Sequence, residues 1–152
     1  MIKKKIIFIL LIFFLNNCGF APIYFNDPNV NFSIEQINYS GDREINNFLK
    51  RNLNKYQNIN SDNKIFIEVN SSYNKTILSK DRAGVVTNYQ LITEVIFLIK
   101  PINKEIKITE KNIMESKNDK FEEARYERTM KENFAYSISN KLRSELLIIN
   151  DL

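Results

Sequence analysis

The chain of 152 residues carries 22 basic and 18 acidic side chains, one cysteine, and neither histidine nor tryptophan. Without histidine there is no Ser-His-Asp triad, no Cys-His pair and no ordinary zinc site, and a lone cysteine closes no internal disulfide. The net charge of +4 includes Lys3, Lys4 and Lys5; from residue 18 onward 19 basic side chains face 18 acidic ones, so the charge is no nucleic-acid footprint and any basic function needs a local patch.

Those three lysines precede an unbroken apolar run of ten residues, 6–15. A charged start and a short apolar middle describe a secretory signal peptide. A membrane-spanning helix needs about 20 apolar residues, and Asn16 and Asn17 stop this run far short of that. Leu15, three places before Cys18, resembles a bacterial lipobox, although Asn16 and Asn17 stand where small residues are usual. The competing readings are a retained anchor and a chance free cysteine. The expectation is a signal peptide over residues 1–17, a lipidated Cys18, and an extended tether over residues 18–31 containing Pro22 and Pro28. A triacylated cysteine exceeds the two lipid signals that stable anchoring takes. Gly19 follows it, not the aspartate of an inner-membrane retention signal, which points to the periplasmic side of an outer membrane.

The elements follow in order. Phe32, Ile34, Ile37 and Tyr39 predict a strand whose alternation breaks once, at a bulge. Ser40, Gly41 and Asp42 make a turn, with Asp42 an N-cap. Ile45, Phe48, Leu49, Leu53 and Tyr56 recur at helical spacing and predict an amphipathic helix of about four turns. The polar stretch 57–63 ends it. Ile65, Ile67, Val69, Ser71 and Tyr73 alternate as a half-buried antiparallel strand does. A turn-rich link, 79–84, leads to a second alternating stretch through Thr87, Tyr89, Leu91, Thr93, Val95, Phe97 and Ile99. Pro101 stops it, Asn103 and Lys104 turn the chain, and Ile106 and Ile108 open a fourth strand running weakly to about Met114. Asp119, with Glu122 three places on, reads as the capped start of a last helix. Its stripe is Ala135, Ile138, Leu142, Leu146 and Ile149; earlier the same face carries Ala124, Arg128 and Lys131, so the first half is less buried or packs on a polar partner. The order β-α-β-β-β-α predicts an α+β two-layer sandwich over residues 32–152, with two helices on one face of a four-stranded, mostly antiparallel sheet. Strands this long leave exposed edges that invite pairing or coverage.

A family resemblance rests on three stretches. Cys18-Gly19-Phe20-Ala21-Pro22-Ile23-Tyr24 looks like the start of alphaproteobacterial LptE proteins, the lipopolysaccharide-assembly lipoproteins. Arg82-Ala83-Gly84-Val85-Val86-Thr87-Asn88-Tyr89-Gln90-Leu91 is similar to that family's entry into its long central strand. Glu127-Arg128 leading into Ala135, Ile138 and Leu142 resembles its last helix. The resemblance implies a lipoprotein seated in the lumen of the outer-membrane β-barrel LptD, assisting that barrel's assembly and delivering lipopolysaccharide to the outer leaflet. No cofactor, no metal, no nucleic acid and no enzymatic activity are expected; a hydrolase is a further reading, and the absence of histidine and of a Gly-x-Ser-x-Gly motif argues against it. The alternative is a different lipoprotein adaptor, for a secretion or barrel-assembly machine.

Lys75, Lys80 and Arg82, placed around the central hairpin, are candidates for lipopolysaccharide phosphates, because charge-assisted Lys and Arg contacts suit phosphate oxygens. The plainer reading is that they are solvated and shield a sheet edge. Lys100 and Lys104 are weaker candidates at the next hairpin. Gly84 reads as a positive-φ turn residue, and Tyr89 as core. Glu122, Glu123 and Glu127, at helical spacing, read as a solvated face and not a catalytic set.

Overall fold

A computed structural model describes residues 32–57, 61, 63–100 and 102–150. The leader, Cys18, the tether and Pro101 lie outside the described residues. The elements are β1 (Ser33–Gly41), α1 (Arg43–Leu53), a 3-10 turn (Asn54–Tyr56), β2 (Lys64–Lys80), β3 (Val86–Lys100), β4 (Lys104–Glu115) and α2 (Lys120–Asn150). The four strands form one sheet in the order β1-β2-β3-β4. β2-β3-β4 is an antiparallel meander, whereas β1 runs parallel to β2, so α1 is a crossover between them. The α+β architecture is the one expected, with one parallel pair in an otherwise antiparallel sheet.

Local chemistry accounts for the boundaries. The break in β1 is a register shift between Ile34 and Gln36. Gly41 ends the strand at φ +91°, with its α-carbon pressed on Ser71; a Cβ there would lie 1.9 Å from the Ser71 carbonyl oxygen. Asp42 then caps α1, its Oδ1 accepting from the Ile45 N–H at 2.8 Å. α1 is shorter than its spacing suggested, at 11 residues, because the chain tightens into the 3-10 turn that seats Tyr56. The helix buries Ile45, Phe48, Leu49 and Leu53, and each such side chain contributes about 1.5–3 kcal/mol. Gly84 takes φ +83° in the β2–β3 turn and Asn103 takes φ +52° in the next.

The main core lies between the sheet and both helices. Ile67, Val69, Val95, Phe97 and Ile99 from the sheet meet Ile45 and Leu49 of α1 and Ala135, Ile138, Leu142 and Leu146 of α2. Of the stripe expected on α2, those four residues are fully buried or nearly so, and Ile149 packs at the margin. A second, smaller cluster of Leu91, Met114, Met130 and Phe134 sits nearer the β2–β3 turn.

β2 is 17 residues long, about 55 Å at the strand rise of about 3.3 Å per residue. β1 covers it from Lys64 to Ser71 and no further. The domain is therefore broad where the chain enters at Phe32 and narrow at the far end, where the β2–β3 turn projects.

Candidate functional site

Two polar features mark the narrow half of the domain, and the three candidate cations divide between them. The first is a seam between the sheet and the first half of α2. Tyr73 and Lys75 share the parity of Ile65, Ile67 and Val69, so their side chains point from β2 toward the helix. Glu123 and Glu127, four residues apart, descend from α2 to meet them. Lys75 Nζ stands 3.2 Å from Glu123 Oε1 and 2.8 Å from Glu127 Oε2, and 4.1 Å from the centre of the Tyr89 ring. The Tyr73 hydroxyl donates to Glu127 Oε1 at 2.8 Å. Lys131 lies over the Tyr73 ring at 4.1 Å and reaches Glu44 of α1 at 2.8 Å, which ties both helices to one network.

Glu123 is the most enclosed member, its side chain only 7% exposed. Burial by itself would raise its carboxyl. The Lys117 N–H, the Ser116 hydroxyl and the Lys75 ammonium, all donating to it, outweigh that and lower it to about 2. Burial likewise works against the Lys75 ammonium, yet its hydrogen bonds to Glu127 and Glu123 raise it above the ordinary lysine range. The Tyr73 hydroxyl is pushed far up, by burial first and then by its bond to Glu127. Glu123, Lys75 and Tyr73 are thereby each held further into the protonation state they already have at neutral pH. Such a seam holds the helix to the sheet.

Three expectations are corrected here. Glu123 and Glu127 are not a solvated face: they turn inward to the sheet, and only Glu122 of the three is exposed. The buried face of the first half of α2 runs through Glu123, Glu127, Met130 and Phe134, while Ala124 and Arg128 are exposed. The helix start has its cap, since Asp119 Oδ1 accepts from the Phe121 N–H at 2.8 Å. The carboxylate that reaches back is Glu123, to Lys117 N–H at 3.0 Å, where Glu122 was expected. The polar partner expected for this half-helix is the Tyr73–Lys75 pair.

The second feature is the β2–β3 turn. Lys80 and Arg82 are exposed there, and neither side chain has an acidic partner among the described residues. Asp81 between them is engaged locally, its Oδ1 accepting from the N–H groups of Ala83 and Val85 at 2.9 and 2.8 Å. Ile77, Leu78 and Val85 surround the cations at 54%, 46% and 62% exposure. Free cations among bare aliphatic side chains suit a partner that is both anionic and apolar. Lys75 does not belong to this patch, because its charge is matched by two carboxylates beneath the sheet. The weaker basic candidates are matched too, Lys100 to Glu68 at 2.5 Å and Lys104 to Glu145 at 3.7 Å.

The fold is shared with solved bacterial lipoproteins. Rare lipoprotein B from Shewanella oneidensis is similar with a TM-score of 0.59 at 16% identity, over 76% of this chain and 96% of that one. An uncharacterized lipoprotein B from Nitrosomonas europaea aligns with a TM-score of 0.55 at 15% identity, over 80% of this chain and 88% of its own. A minor lipoprotein from Acinetobacter baumannii follows with 0.54 at 12% identity, over 76% and 92%. No protein-family model matches the chain, and neither does any curated protein.

Proposed function

We propose that this chain is an outer-membrane lipoprotein of the lipopolysaccharide-assembly machinery. Cys18 carries the lipid anchor on the periplasmic side. The folded domain plugs an LptD-like β-barrel, assists its assembly and helps to pass lipopolysaccharide to the outer leaflet, without enzymatic chemistry. The observation that carries this reading is the extent of the shared fold: nearly the whole of each lipoprotein compared is covered by residues that follow a lipobox-like leader. The exposed cations and aliphatic side chains of the β2–β3 turn fit the phosphates and acyl chains of the proposed lipid. Lys80 and Arg82 are its contacts, and Lys75 supports the strand beneath them.

Purification of the tagged full-length chain from outer membranes tests the proposal. The expected result is a stoichiometric barrel partner of LptD size and a membrane-bound mature form that Cys18→Ala abolishes. A different machine as the partner would favour the adaptor reading instead. Unchanged processing and membrane attachment of Cys18→Ala would overturn the anchor. Lys80→Glu combined with Arg82→Glu should weaken lipopolysaccharide binding about a hundredfold, given about 1.5–3 kcal/mol for each charge-assisted contact. Equal affinity of variant and wild type at low salt would remove the turn from the lipid site.

A further inference from the structure

β2 outruns β1, and the stretch so left open has unusual properties for a sheet edge. The Asp42 N–H donates to the Ser71 carbonyl at 2.9 Å, which shows that Ser71 turns its peptide groups toward β1. Alternation along the strand turns those of Tyr73, Lys75 and Ile77 the same way. β1 has ended at Gly41 by then, so no strand among the described residues meets them. Natural edges are commonly blunted by charge. The β4 edge follows that rule with Lys104, Glu105, Lys107, Glu110, Lys111 and Glu115. Across residues 72–79 of β2 the one charge is Lys75, held under the sheet by Glu123 and Glu127. The open edge is neutral and straight up to the register shift between Ile77 and Ser79, and it leads directly into Lys80 and Arg82.

We propose that residues 72–77 of β2 accept an added antiparallel strand from a partner polypeptide whose first residues are acidic. Backbone groups of Tyr73, Lys75 and Ile77 supply the pairing. An antiparallel mate places its N-terminal residues beside the end of β2, where the unmatched cations sit, so carboxylates there find their complement. A β-branched residue next along covers Ile77, now more than half exposed. This surface shares Lys80 and Arg82 with the lipid reading, but its pairing rests on the backbone of Tyr73, Lys75 and Ile77, which that reading does not use.

The test uses the full-length lipoprotein in detergent and a short synthetic peptide, two glutamates followed by alternating threonine and valine. Amide exchange of the protein alone should be fast at Tyr73, Lys75 and Ile77. Slow exchange would mean that another segment of the chain or a second copy already covers the edge, and would overturn the proposal. Adding peptide should slow exchange at those three amides. Ile77→Pro removes an N–H that faces the open edge and not β3, so the β2–β3 ladder survives while peptide affinity falls about tenfold or more. The second variant, Lys80→Glu with Arg82→Glu, should lose the acidic peptide and gain one with two leading lysines. No protection by peptide, equal protection in Ile77→Pro, or indifference to where the charges stand in the peptide would each overturn the proposal.

Discussion

Replacing Lys75 with methionine isolates the work of the seam. Methionine keeps much of the lysine stem and its contact with Tyr89, so the change is chiefly the loss of one cation. Removing one partner of a buried pair costs about 3–5 kcal/mol when the other charge is left without compensation. Here compensation remains. Glu123 keeps Ser116, the Lys117 N–H and Lys120, and Glu127 keeps Tyr73 and Lys131. Lys75 itself is 23% exposed, so solvent screens part of the interaction. A loss of about 2 kcal/mol follows, equivalent to about 8 °C in Tm for a domain of this size. The loss should be local as well as global, because the second half of α2 rests on the main core and the first half on the seam. Amides of residues 124–131 should exchange about 30-fold faster in Lys75→Met, as 2 kcal/mol of easier opening requires, with a smaller change over residues 138–146. Thermal unfolding by circular dichroism and exchange by mass spectrometry measure both. A loss below about 0.5 kcal/mol, the level of an ordinary surface substitution, would show that the Lys75 charge is effectively solvated and that the seam does not hold the helix.

Three further outcomes are expected. Because the folded-state carboxyl of Glu123 lies below its unfolded value, its contribution is complete above about pH 5 and is lost as pH falls toward 2; urea titrations should show wild type losing up to about 3 kcal/mol more than Glu123→Gln over that window, and parallel curves would refute it. Gly41→Ala should cost about 4 kcal/mol or more, since a Cβ collides with the Ser71 backbone at positive φ, while Gly84→Ala, at a similar φ in open space, should cost about 1; equal costs in denaturant melts would refute the role given to the close approach. Leu142→Asp should leave no cooperative unfolding transition, because the side chain is fully enclosed and a buried unpaired carboxylate costs several kcal/mol; an unchanged Tm would remove Leu142 from the core.

The sequence was most legible where one residue type sets one local geometry. Alternation marked β2, β3 and β4, Asp42 and Asp119 marked both helix starts, and the missed beat between Ile34 and Gln36 marked the bulge. The parallel β1–β2 pair was hidden, because a strand covered on one face alternates in the same way whichever direction its neighbour runs. The seam was hidden for a different reason. Glu and Lys on a helix or strand default to solvent, and nothing local says that two carboxylates four residues apart will meet a lysine 48 positions earlier in the chain. The available signal was parity: Lys75 continues the odd-numbered face that begins at Ile65, and only a helix above that face could neutralise it. The exposure of Lys80 and Arg82 needed no such inference, since a hairpin end projects from the sheet and neither side chain meets an acidic partner among the described residues.

The parallel placement of β1 also sets an order of events in time. β2, β3 and β4 are joined by short turns, so their pairing closes small loops and costs little chain entropy. β1 and α1 leave the ribosome first, yet β1 has no neighbour until β2 has been made and has turned back on β3. Ile34, Ile37 and Tyr39 must wait, uncovered, for a surface encoded downstream, and α2, which follows β4, then closes the core over both. That interval is when a holding chaperone would have most to cover, and the β1 segment is where it would bind.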